Sequence, residues 1–294
     1  MAMWNMGTIT PFYQSNDDLE NPEAIRKSAK ENGYLFFKGL IDPDILKDLR
    51  TQVLAILQEM DFLDPDHPLT DGIIMPGKTL LDDTKETWQA FYWKVQKLQA
   101  FHAFSLYPPI IDVLEKLFDG SVLPHPRNIL RAISPGIQSM TTPPHQDFWH
   151  IGGTPDCWTA WFPLGDCDKE LGGLAIAKSS HHGGIREQEE GEGAGGTQVA
   201  GDIDYPWHSN EFECGDLVFF QSHSIHQGMD NNSPDRIRLS LDLRFQPRNH
   251  PVHSNSLKPH MGWINWDEVY EDWDKDDPLR YYWQNWDLAI TENK

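Results

Sequence analysis

Thirteen of the 294 residues are His and 45 are Asp or Glu, so chemistry has to be sought in spacing, not in mere presence. The sharpest local pattern is Pro144-His145-Gln146-Asp147. In an extended segment residues i and i+2 share a face, so an imidazole and a carboxylate can reach one point. A third donor from a distant strand end would complete such a site. His226 qualifies, closing the run from Gly215 to His226, with His223 as a competitor. Two His and one carboxylate on one face of an octahedron leave three positions open, the arrangement that a non-haem Fe(II) centre needs for a co-substrate and O2. An HxD pair alone is weak evidence in a chain this rich in His.

A second pattern strengthens the first. Arg238-Leu239-Ser240 follows His226 by twelve residues and opens an apolar strand. An Arg and a Ser two places apart share a face and can hold one carboxylate by a bidentate guanidinium and a hydroxyl. The iron co-substrate 2-oxoglutarate carries such a distal carboxylate. Arg236 competes with Arg238, and the Arg-x-Ser spacing favours Arg238.

The elements that must position these residues fall into two textures. Asn21-Pro22-Glu23 and Asp42-Pro43 each offer a helix cap followed by proline, and Gly33 sits where the first of these helices would end. Tyr34–Phe37 between them reads as a strand. Asp83-Thr84-Lys85-Glu86 resembles a capping box opening a third helix toward Leu106, and Ile110–Phe118 can form a fourth. From about residue 122, short segments rich in Val, Ile, Phe and Trp recur between turn signals, as in an antiparallel sandwich or barrel. The strands expected are Asn128–Ser134, Cys157–Leu164, Gly173–Ala177, Asp216–Gln221 and Arg238–Gln246. Residues 183–201 are Gly-rich and polar and read as a mobile loop. These features predict one domain: a helical layer over about 1–120, a β core over about 122–250 and a Trp-rich extension over 251–294.

Composition excludes several functions. With 24 Lys and Arg against 45 acids the net charge is −21, which opposes binding to nucleic-acid phosphates or an anionic membrane. No apolar run is long enough to span a bilayer, and the N-terminal residues do not read as a signal peptide. Cys157, Cys167 and Cys214 are odd in number and lack CxxC spacing, which argues against a disulfide framework or thiolate zinc site and for the cytoplasm.

Taken together, Pro143-Pro144-His145-Gln146-Asp147, Trp161 to Cys167, Leu171 to Leu174, Ser180-His181, Gly215-Asp216 through Ser222 to His226 and Arg236 to Ser240 resemble the phytanoyl-CoA dioxygenase (PhyH-like) family of Fe(II)/2-oxoglutarate oxygenases. The resemblance covers roughly residues 20–250. It implies a double-stranded β-helix, or jelly-roll barrel, buttressed by the N-terminal helices. It implies that His145, Asp147 and His226 hold the iron, since the family spacing from Ser222 favours His226 over His223. Arg238 then binds 2-oxoglutarate with Ser240 as helper, Trp161 lines the co-substrate pocket, and Asn128 lies near the keto-acid end. One departure is Lys178-Ser179-Ser180-His181, where the family has proline-glycine-serine-histidine. The implied activity is oxidation of a small organic molecule with release of succinate and CO2.

Two alternatives stand beside it. A halogenase on the same scaffold would leave the carboxylate position vacant for chloride, which Asp147 opposes. A non-catalytic cupin-type metal barrel would have no use for Arg238-Leu239-Ser240. Phe148, Trp149 and His150 can line the substrate cavity or pack in the core. The C-terminal tryptophans read as anchors pinning an irregular tail, with a homodimer contact or a cavity wall as the other readings. The segments 61–83 and 183–210 hold many acids and only Lys78 and Arg186. If they form the lid, the substrate is expected to be neutral or cationic and not a CoA ester.

Overall fold

The computed structural model of the chain describes residues 7–80, 85–136 and 141–292. Helix α1 (Pro22–Asn32) begins where the Asn21 side chain accepts from the Ala24 amide. It ends at Gly33, whose φ of 77° is left-handed backbone. A Cβ there would also lie 2.4 Å from His181 Nδ1, so glycine is required twice over. Strand β1 (Tyr34–Phe37) follows, then α2 (Pro43–Glu59), capped by Asp42 and burying Leu46, Leu49, Val53, Leu54, Ile56 and Leu57. The single helix expected toward Leu106 is broken into α3 (Lys85–Gln96), α4 (Gln99–Ala103) and a 3-10 turn at Phe104–Leu106. At the break the Lys97 and Leu98 amides bond back three residues instead of four, and His102 Nε2 takes the Gln96 carbonyl. Asp83 and Thr84 of the anticipated capping box lie outside the described residues. Helix α5 (Pro108–Phe118) closes the helical layer.

The β half comprises β2 (Val122–Pro124), β3 (Ile129–Ile133), the short helix α6 (Phe148–Ile151), β4 (Trp158–Pro163) and β5 (Leu174–Ala177). It continues with β6 (Gln188–Glu190), β7 (Thr197–Val199), β8 (Trp207–His208), β9 (Leu217–Gln221), β10 (His226–Gly228) and β11 (Arg238–Pro247). The larger sheet runs β1-β9-β4-β11-β2 with β3 also on β11, and the smaller runs β10-β5-β8. Every pairing in both is antiparallel. Among the described residues these two sheets do not close into one barrel, and β6–β7 and β12–β13 form two-stranded pairs of their own. The segment holding His145 joins the smaller sheet along β10, through an isolated bridge to His226 and a bond from Gly228 N to Thr142 O at 3.1 Å. The architecture is mainly antiparallel β with flanking helices.

Strand alternation explains the layering. Leu35 and Phe37, Ala160 and Phe162, Leu217 and Phe219, and Leu239, Leu241, Leu243 and Phe245 face the helices in one core. Their neighbours Tyr34, Phe36, Trp161, Val218 and Phe220 point the other way and meet Leu174 and Ile176 of the smaller sheet. The larger sheet is therefore buried on both faces, by helices on one side and by β5 on the other.

Two segments depart from expectation. Residues 188–199 form a β6–β7 hairpin inside the stretch read as a mobile loop. It is tied down by Ala194 N to Thr141 O at 2.9 Å and Val199 N to Pro144 O at 2.8 Å. Gly193 (φ 126°) permits this approach, because a Cβ would sit 2.3 Å from the Thr141 carbonyl oxygen. The C-terminal extension, with β12 (Val252–His253), α7 (Trp266–Val269) and β13 (Ile290–Thr291), is pinned by indoles as expected. Trp283 is buried with Leu123, and Trp266 packs against them. Trp266 Nε1 donates to Leu257 O, and Trp273 Nε1 to Lys97 O.

Leu241 is fully buried between β11 and the helices. Leu241→Ala should cost about 2–5 kcal/mol of unfolding free energy in urea titrations. Ile290→Ala, at an exposed site, should change it by less than about 0.5 kcal/mol.

Candidate active site

His145 and His226 are brought together by reciprocal backbone bonds, His145 N to His226 O at 2.9 Å and His226 N to His145 O at 3.1 Å. Their rings lie 4.1 Å apart. Asp147, at the N-cap of α6, turns Oδ1 to within 3.7 Å of His145 Nε2 and 3.8 Å of His226 Nε2. All three side chains are buried, and their donor atoms lie within 4.8 Å of one another. Each imidazole places Nδ1 2.9 Å from a backbone carbonyl, Pro143 O and Ser224 O. A carbonyl only accepts, so both protons sit on Nδ1 and both Nε2 lone pairs face the common point. Burial, reinforced by His145, lowers the pKa of His226 to about 3, which keeps it neutral. The donor set thus fits a divalent metal.

Asp147 is the charge at this point. Burial alone would raise its pKa, but Arg244 and the two imidazoles hold it well below the ordinary carboxylate value. Arg244 Nη2 donates to both carboxylate oxygens, at 3.0 and 3.1 Å, and Thr159 Oγ1 donates to Oδ2 at 2.5 Å.

Beside the triad a narrow pocket is lined by Trp161, Leu174, Phe220, His226 and Arg238. Arg238 Nη1 is fixed by the carbonyls of Gly172, Gly173 and Met229, at 2.5, 3.1 and 2.8 Å. Its Nε and the Ser240 hydroxyl are buried and have no partner. Two orphaned donors on one strand face suit a carboxylate ligand.

The other expected residues divide. Asn128 does not join the site: its Oδ1 accepts from Ser105 Oγ at 2.9 Å and its amide donates to Phe101 O. Strand parity places it with Leu130 and Ala132, on the helical side. Arg236 is paired with Asp168 at 2.9 Å and Glu170 at 3.6 Å. His223 packs edge-on to Phe148. Trp149 belongs to a small core under the smaller sheet, whereas His150 and Ile151 line the cavity.

The triad opens on a chamber of about 530 Å3 with apolar walls from Trp88, Tyr92, Ile129, Ile151 and Met261. Arg127, Arg131 and Arg244 also line it. Among the described residues, segment 61–83 contributes nothing to this lining, and 183–210 contributes only Ala194 and Gly195. The expectation of a neutral or cationic substrate therefore loses support, because none of the described acids of those segments lines the chamber. Asn255, Ser256, His260 and Met261 make the C-terminal extension a cavity wall as well as a pinned tail. Sequence reasoning missed Arg244, Thr159 and the Arg131–Asp242 ion pair of 2.8 Å. The period-2 rule that linked Arg238 to Ser240 continues to Asp242 and Arg244.

An antiparallel double sheet bearing two imidazoles and a carboxylate around one point is the framework of a non-haem metal-dependent oxygenase. The phytanoyl-CoA dioxygenase (PhyH) family model matches residues 29–240. The 1-deoxypentalenic acid 11-beta-hydroxylase of Streptomyces arenae is 29% identical over 272 residues, 86% of this chain and 90% of its own. The peroxisomal phytanoyl-CoA dioxygenase of Mus musculus is 24% identical over 238 residues, 75% and 67% of the respective chains. In fold the chain is similar to the epimerase SnoN, solved with Fe3+, alpha ketoglutarate and nogalamycin RO (TM-score 0.55, 16% identity, 79% of this chain and 86% of that one). It is also similar to the carbocyclase SnoK (TM-score 0.53, 19% identity, 84% and 89%). The chain belongs to the phytanoyl-CoA dioxygenase family. It is an Fe(II)/2-oxoglutarate-dependent dioxygenase.

Replacing Arg244 by Met would strand the Asp147 charge, which for buried pairs costs about 3–5 kcal/mol. Urea unfolding of the metal-free proteins at pH 7.5 should show that loss. The wild-type contribution is fully present above the ordinary value of 3.8 and fades only as pH falls well below it. The stranded carboxyl of the variant, raised by burial and no longer lowered by Arg244, would instead take up a proton at higher pH than in the wild type as the pH is lowered from 7.5. The gap between the proteins should narrow as the pH falls, and a constant or widening gap would contradict the assignment.

Proposed function

We propose that the two sheets are the halves of a double-stranded β-helix and that His145, Asp147 and His226 hold one Fe(II) between them. The observation that carries this reading is the convergence of two Nε2 lone pairs and one carboxylate oxygen, with both Nδ1 protons committed to backbone carbonyls. Arg238 and Ser240 take the distal carboxylate of 2-oxoglutarate, and Trp161 walls the co-substrate pocket. When bound, iron and 2-oxoglutarate supply O2-dependent oxidation of a C–H bond, with succinate and CO2 as products. The protein's part is orientation and exclusion of water. Thr159 and Arg244 fix the rotation of the Asp147 carboxylate, so one oxygen is left facing the imidazoles.

The substrate occupies the larger chamber, whose size suits a small organic molecule. Hydroxylation is the outcome favoured here, being the activity named for the Streptomyces relatives. The halogenase alternative is disfavoured by Asp147, which fills the position that a halide would need. A purely structural metal barrel leaves the orphaned donors of Arg238 and Ser240 without a purpose.

His145→Ala and His226→Ala should each abolish stoichiometric Fe(II) binding in anaerobic titrations, while His223→Ala retains it. Retention in His226→Ala with loss in His223→Ala would move the distal ligand. Arg238→Ala should keep iron but weaken 2-oxoglutarate by roughly two to three orders of magnitude, following the cost of breaking a buried charge pair. The metal-to-ligand charge-transfer band reports this. Arg238→Lys should recover part of the loss, and Arg236→Ala should change little. A collapse in Arg236→Ala beside an unchanged Arg238→Ala would relocate the anchor.

A further inference from the structure

Three guanidiniums face the chamber, and they differ in how their charge is met. Arg131 pairs with Asp242 at 2.8 Å, and Arg244 with Asp147 at 3.0 Å. Arg127, in the turn before β3, has no carboxylate within 4.0 Å among the described residues. Its Nη1 donates to the backbone carbonyls of Asn255 at 3.3 Å and Pro259 at 3.1 Å, which fix the head group but bring no negative charge. Burial and the neighbouring Arg244 both destabilise its charged form, lowering its pKa. Other titrating groups of the chamber give the same sign: burial, with Arg244 and Arg127, lowers the pKa of His125 as well. His260 is driven well below its usual value by burial, then by Arg127, Arg131 and Arg244. Arg244 itself keeps Nε and Nη1 buried without hydrogen-bond partners.

A cation held at the rim of an apolar chamber, and left uncompensated, costs desolvation free energy that an anionic ligand would offset. The walls opposite are Trp88, Tyr92, Ile129, Ile151 and Met261, which suit a hydrocarbon skeleton. We propose that the substrate is a lipophilic monocarboxylic acid, taken as the free acid, whose carboxylate is bound by Arg127. The proposal rests on the oxygenase reading only for the statement that the chamber is the substrate site. A planar carboxylate is favoured over a tetrahedral oxyanion of higher charge because, among the described residues, only one of the three guanidiniums lacks an acidic partner and no lysine lines the chamber. The acid group thus sits at Arg127, and the apolar body extends between α3 and the C-terminal wall toward the triad.

The test uses 1-adamantanecarboxylic acid and 1-adamantanecarboxamide as probes, matched in shape and differing in charge. Calorimetry is run at pH 7.5 on the full chain, both metal-free and loaded anaerobically with Fe(II) and 2-oxoglutarate. The acid should bind at least tenfold more tightly than the amide in both forms. Arg127→Gln should weaken the acid tenfold or more, leave the amide within twofold and leave 2-oxoglutarate affinity unchanged. Arg127→Lys, which keeps the charge, should retain part of the preference. That second variant, with the wild-type comparison, decides the matter should Arg127→Gln fail to fold. Equal binding of acid and amide, a preference that survives Arg127→Gln, or no binding of the acid by folded wild-type protein would overturn the proposal. Failure of the oxygenase reading has a separate signature: no 2-oxoglutarate-dependent charge-transfer band, with the acid–amide comparison still readable on the metal-free chain.

Discussion

A carboxylate that is almost wholly removed from water, as Asp147 is, stays ionised only where the protein supplies the solvation it has lost. Here that supply comes from two separate parts of the chain, Thr159 on β4 and Arg244 on β11, both donating to the carboxylate. Each of these can reach Asp147 only in one strand register. Strand β11 must pair with β4 so that Asp242 lies opposite Trp161 and Arg244 opposite Thr159. That register is held from the other face, where Leu239, Leu241, Leu243 and Phe245 are locked into the core shared with the helices. A slip of one residue would exchange the two faces, burying leucines in the site and arginines in the core. The helical layer therefore acts on the chemistry at a distance, through the parity of one ten-residue strand.

Parity also explains what could be read before the fold was known. His145 and Asp147 stand out because they are two apart in an extended segment, and Arg238 and Ser240 for the same reason. The helix starts at Asn21-Pro22 and Asp42-Pro43 were legible because caps are local chemistry. Asn128 was misplaced by a single residue: β3 begins at Ile129, and its inward set is Ile129 and Arg131, with Asn128 on the opposite side. Arg244 went unread although it continues the series from Arg238, because nothing local marks it as the partner of a carboxylate 97 residues away in sequence. Sheet order lies further out of reach, since β1 beside β9 and β10 beside β5 are pairings across long stretches of chain.

Net charge says little about the chamber for a related reason. A total of −21 describes the field that a distant partner meets, and most of those acids are on the outer surface. The chamber samples a handful of side chains, and three of them are arginines. Local sign can oppose global sign because a cavity screens its contents from the solvent-exposed charges outside. Of the acid-rich segments at 61–83 and 183–210, the described residues that reach the chamber are Ala194 and Gly195, and neither carries charge.

Beyond the floor that β3 and β11 give the chamber, its walls come from elements outside the two sheets: Trp88 and Tyr92 from α3, Ile151 from α6, the tip of the β6–β7 hairpin and Asn255, Ser256, His260 and Met261 of the extension. They are fastened to each other independently of His145, Asp147 and His226. Tyr92 meets His260 across a 2.7 Å hydrogen bond, Arg127 holds the carbonyls of Asn255 and Pro259, and the indoles of Trp266 and Trp273 bond the backbone on either side. Reaction type and substrate choice are thus held by different parts of the chain. The triad and the β11 arginines depend on strand register and tolerate little change. The surrounding wall depends on packing between a helix and an irregular extension, where side chains can be exchanged without moving His145, Asp147 or His226. A scaffold divided in this way can keep one oxidation chemistry while its chamber is reshaped for different molecules, and the charge presented by Arg127 is the part of that wall with the greatest power to select among them.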